Sequence, residues 1–138
     1  MKNHAINLAV TVAIGILFSF VAVYVVGFSA AIRVPSWSQA FAQTHRTTFF
    51  WIIEIVYVAL PLTVLATASG ALLGRAIRMR SLGLALLCAV PWLAQVAWSE
   101  IAVSDSHISS VALLALPDSF AVVAGFVVGM LVFGYRYS

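Results

Sequence analysis

Along the chain, apolar positions gather into four long runs, roughly residues 7–27, 48–70, 82–103 and 111–133, with short polar stretches between them. Each run is about 20 residues, the length a helix needs to cross ~30 Å of hydrocarbon at ~1.5 Å per residue. The intervening stretches read "SAAIRVPSWSQAFAQTHRTT", "RAIRMRS" and "SDSHISS". The pattern predicts an all-α fold: an integral membrane four-helix bundle forming one domain over residues 1–138. The first run resembles a signal peptide, with Lys2 before it and Ser29–Ala30–Ala31 after it. Its apolar stretch is longer than a signal peptide's and carries Thr11 and Ser19, so it is read as a span.

Composition strengthens this picture. The 138 residues are 64% hydrophobic and 8% charged, with mean hydropathy +1.11. A soluble domain is typically about 25% charged, and this chain has too few charges to cover a water-facing surface. The lipid bilayer is therefore the expected solvent and first partner. Formal net charge is +3, but the basic residues do not cluster with stacking aromatics, so nucleic acid is not an expected partner. The single cysteine, Cys88, excludes a disulfide relay and is expected to be a buried packing residue.

Charge placement predicts direction. Arg75, Arg78 and Arg80 crowd the middle loop, with Lys2 and Arg136 at the ends, whereas the third loop carries Asp105 and no Lys or Arg. The positive-inside rule puts both termini and the middle loop in the cytoplasm. Arg33 and Arg46 in the first loop (28–47) dissent mildly. A bacterial inner membrane is the expected location. Pro35 suits the start of a helix, and Trp37 and Phe41 are four apart, so the first loop is expected to hold a short interfacial helix.

Within lipid, helices associate through close packing, and small residues mark the contacts. Span one carries Thr11, Gly15 and Ser19, then Ala22. Span two carries Thr63 and Thr67, then Gly70 and Gly74. Span four carries Ala121, Gly125 and Gly129. Each row lies on one helical face. The GxxxG pairs Gly70–Gly74 and Gly125–Gly129 are expected packing sites, either within one chain or in a homo-oligomer.

Against this background the acids stand out. Glu54 sits inside "FFWIIEIVYVALP", about 9 Å below the outer end of span two. Asp118 falls at about 10 Å in span four, and Gln95 and Glu100 about 12 Å and 5 Å below the outer end of span three. Three helices thus deliver Glu54, Asp118 and Gln95 to one layer, with Glu100 above it. Tyr57 and Pro61 are expected on the Glu54 face, and Asp118 on the Ala121–Gly125–Gly129 stripe. Pro61, Pro91 and Pro117 each free a backbone carbonyl in the same half of the spans or near the midplane. Trp92 and Trp98 are six apart and share no face; Trp92 is expected to flank the layer, and Trp98 to flank it or anchor the interface.

An ionisable residue inside a membrane costs ~2.5–3.5 kcal/mol on insertion scales, so two at one depth call for a compensating gain. One account is structural: two acids sharing a proton pin helix register. The other is functional: Glu54 and Asp118 bind a proton or cation, Gln95 and Tyr57 orient them, and Glu100 shapes the outer mouth of a small proton- or cation-coupled transporter or channel-like protein. The rival function is a non-catalytic accessory, assembly or immunity subunit of a larger membrane complex. Small multidrug transporters share four short helices and an intramembrane Glu, but theirs is in the first span, which here has no acid. An enzyme is the least supported class. Glu54 with Asp118 is an unusual mixed pair for an intramembrane aspartyl protease, and no phosphate loop, nucleophile elbow or haem attachment sequence is present. His45, Asp105, His107 and Glu100 have no metal-motif spacing, so neither metal nor cofactor is expected.

Overall fold

A computed structural model of the chain describes residues 2–31, 35–103 and 108–134. Every regular element among them is helical. The order is α1 (Lys2–Ala31), a 3-10 turn (Ser36–Ser38), α2 (Gln39–Thr44), α3 (Arg46–Ile53), a π-helical segment (Glu54–Ala59), α4 (Leu60–Ile77), α5 (Leu82–Val103), α6 (Ile108–Val128) and a second π segment (Gly129–Phe133). Four helical stretches are long and apolar enough to cross a membrane: Asn3–Ser29, Arg46–Ile77, Leu82–Ser99 and Ala115–Phe133. The second is one rod made of α3, the π segment and α4. It runs seven residues past the apolar run that ends at 70, so Arg75 lies in its last turn.

The loop that follows is correspondingly tight. Arg78 closes α4 in the left-handed conformation, at φ 52°, a position more often held by glycine. In the first loop, Pro35 precedes the 3-10 turn and the Ser38 N–H donates to its carbonyl at 3.0 Å. Trp37 is 83% exposed, while the Phe41 ring lies 5.1 Å from His45 and 6.3 Å from Phe49. The backbone breaks at His45, at φ −126° and ψ 58°, which separates α2 from the rod below it.

Around the bundle the long helices run in the order α1, α5, α6, α4, and α4 closes back on α1. Small residues decide how near they come. On α1, Thr11, Gly15, Ser19 and Ala22 are buried. A Cβ placed on Gly15 would lie 2.5 Å from the Cys88 carbonyl oxygen and 3.1 Å from Pro91 Cγ, so the α1 backbone rests directly on α5. The hydroxyls in this row need no partner across the contact. Thr11 donates to Asn7 O at 2.7 Å and Ser19 to Gly15 O at 2.9 Å, each within its own helix.

Between these contacts lies the apolar core. Phe18, Leu62, Leu73, Cys88, Trp92, Val122, Phe126 and Met130 are all buried. Phe18 is its hinge, edge-on to Phe126 at 4.8 Å and to Trp92 at 6.1 Å. Outside, large apolar side chains face away from the protein: Leu17 is 64% exposed, Phe20 66% and Phe120 76%. Water tolerates no such continuous apolar surface on a monomer, whereas acyl chains cover it readily.

Candidate functional site

The closest helix pair is α4 with α6, and it sets the geometry of the acids. A Cβ on Gly125 would lie 2.7 Å from Ala66 Cβ and 2.8 Å from the Thr63 carbonyl, and one on Gly70 2.5 Å from the Phe126 carbonyl. One on Gly129 would collide with the Thr67 carbonyl, and Gly134 sits against Gly74. Any side chain here would meet backbone, which cannot give way. These pairings make the two helices parallel, with each α4 residue level with the α6 residue numbered about 60 higher. Asp118 therefore stands level with Tyr57 and Val58, one turn below Glu54.

Asp118 is within about 20° of Gly125 and Gly129 around α6, at ~100° per residue, so its side chain points to α4. Glu54 and Asp118 meet. Their carboxyls are close enough to interact both as charges and through a hydrogen bond. Asp118 Oδ1 is fully buried and has no hydrogen-bond partner. Among the described residues no Lys, Arg or His pairs with either acid. Two acids with no basic partner among the described residues, in a largely apolar setting, favour the state of lowest charge. That state is reached by binding a proton between them or a cation against them.

The remaining residues of the expected layer distribute differently. Tyr57 is half-buried in the π segment, but the expected common face of Glu54, Tyr57 and Pro61 is corrected by that segment. Its hydrogen bonds reach one residue further back than in an α-helix, which rotates Glu54 relative to Pro61. Gln95 is exposed, so the expectation that it orients the acids fails. The π segment bearing Glu54 packs against α6 and α1, and at the outer end of α5 every residue from 94 to 99 except the half-buried Val96 is exposed. Depth arguments place a residue at a height but not at an azimuth.

The Glu100 side chain lies outside the described residues, as do Asp105, His107, Arg33 and Arg136. Trp98 is 74% exposed, while Trp92 is buried with its indole N–H unpartnered. Among the described residues no group of three His, Cys, Asp or Glu converges to hold a metal.

Ser29 is a participant that the sequence pattern did not mark. Its hydroxyl on α1 donates to the Tyr57 carbonyl. A signal existed, since Pro61 has no N–H for the carbonyl four residues earlier, which is Tyr57. Pairing that carbonyl with Ser29 required knowing that α1 and the π segment are neighbours. Comparison with protein-family models, with curated proteins and with solved structures found no match to the chain.

Proposed function

We propose that the chain is a small membrane transporter or channel-like protein in which Glu54 and Asp118 bind a proton or a cation. The observation that carries this reading is the meeting of two acids from separate spans with no basic partner among the described residues, one of them with a buried, unpartnered oxygen. A pair held only for stability has a cheaper alternative, because apolar residues of similar volume pack as well without desolvating charge. Both termini and the Arg75–Arg80 turn face the cytoplasm in this reading, of a bacterial inner membrane, and the acids open toward the other side. The GxxxG faces on α4 and α6 meet within one chain, which favours the single bundle as the binding unit inside any homo-oligomer.

Purified protein in liposomes should move protons or a monovalent cation down an imposed gradient. Glu54→Gln and Asp118→Asn should each abolish that flux without lowering thermal stability. An inert wild type whose acids, when neutralised, only lower stability would return the pair to register pinning. An inert wild type that pulls down one stoichiometric partner would favour the accessory-subunit reading.

A further inference from the structure

The carboxyl pair depends on a helix defect. The buried face of α4 is formed by Leu62, Ala66, Gly70, Leu73 and Gly74. Traced back from that face through an unbroken α-helix, at ~100° per residue, Glu54 would point about 130° away from the core. A π turn accommodates one extra residue and so takes back about 100° of rotation. With it, Glu54 comes within about 30° of the core face and meets Asp118. The widened ladder is visible in the Leu60 N–H, which reaches back to the carbonyl of Ile55, five residues earlier.

The defect has a cause in the chain and a tie outside it. Pro61 cannot donate to Tyr57, and its ring crowds the Tyr57 carbonyl. Inside a membrane a carbonyl left without a donor is costly. The Ser29 hydroxyl supplies the donor from α1. Ser29 Oγ also lies 2.8 Å from the Val25 carbonyl of its own helix, so the hydroxyl bridges the two carbonyls with its one proton.

We infer that Ser29 is a positioning residue: its bond to the Tyr57 carbonyl holds the π segment in register and so keeps Glu54 against Asp118. The inference gains its functional meaning from the proposed proton or cation site, but it is tested by position and not by flux. Cysteines are placed at 54 and 118 in the full-length chain in membranes. Native Cys88 is retained because it is fully buried. Oxidation should join the two cysteines efficiently. Ser29→Ala should lower the yield several-fold, and Ser29→Thr, which keeps the hydroxyl, should restore it. Deleting Val56, a 48% exposed residue of the π segment, removes the extra residue and leaves Glu54 about 700° from Leu62 in an unbroken α-helix, the same phase that the π turn gives, so cross-linking should persist and no longer depend on Ser29, with helicity by circular dichroism unchanged. Equal cross-linking yields from the Ser29→Ala variant and its parent overturn the inference, as does a cross-link in the Val56 deletion that Ser29→Ala still lowers. Flux measured on the acid-bearing protein separates the two readings. Serine-dependent cross-linking with no flux defeats only the transport proposal, and flux that survives Ser29→Ala with unchanged cross-linking defeats only this one.

Discussion

From Thr63 to Gly74, α4 meets α6 backbone against backbone, through residues with little or no side chain. One turn further out, the same two rods meet through a pair of carboxyls at the start of a widened helical turn. The inner half is closed and apolar, and its geometry is dictated by atoms that cannot move. The outer half is polar, and an oxygen there is left without a partner. The contrast teaches how so short a chain can hold an unfavourable group. Packing in the inner half fixes the rotation and height of α6. Asp118 is thereby carried to its position by Gly125 and Gly129, and not by any attraction of its own.

The sharpest way to break the comparison is to fill the inner contact. Gly129→Leu sets a branched side chain against the Thr67 carbonyl, and over-packing against backbone should cost about 3 kcal/mol or more. It should also separate the acids, since α6 must move as a unit. Unfolding in detergent and the 54–118 cross-link should both report the change. A variant with unchanged stability would show that the two helices are not held at this contact.

A smaller effect of opposite sign is expected in the outer half. Glu54→Gln combined with Asp118→Asn removes two acids that have no counter-ion among the described residues, so thermal stability should be unchanged or rise by about 1 kcal/mol, while any flux disappears. A loss of about 2 kcal/mol or more, on the scale of breaking a buried polar network, would mean that the pair is structural. The least effect is expected from Thr67→Val. The Thr67 hydroxyl donates at 2.7 Å to Thr63 O in its own helix. The substitution preserves shape, so the change should stay near ~0.5–1 kcal/mol. A larger loss would assign that hydroxyl a role across the contact.

Much of this was legible in the residues. The apolar runs marked the spans, because lipid imposes length and composition on anything that crosses it. Small residues at four-residue spacing marked the faces that meet, because four residues return nearly to the same side of a helix. A constant rise per residue predicted Glu54 and Asp118 at one height, but the pairing of α4 with α6 sets Asp118 one turn below Glu54. Gln95 shows where such reasoning stops. Its height was computed in the same way, but it lies on the exposed outer end of α5, and rise carries no information about direction across the bundle.

By itself, then, the sequence determined four helices long and apolar enough to cross a membrane, and the small-residue faces along which they touch. Those properties are local, since each follows from one helix and its solvent. Which faces pair, that α1 and α4 are neighbours, and that a π turn swings Glu54 toward Asp118 while Ser29 caps the carbonyl left by Pro61, were decided only in the folded bundle. Each depends on two or more helices at once, and on a ladder defect that is stable only because another helix supplies the missing donor.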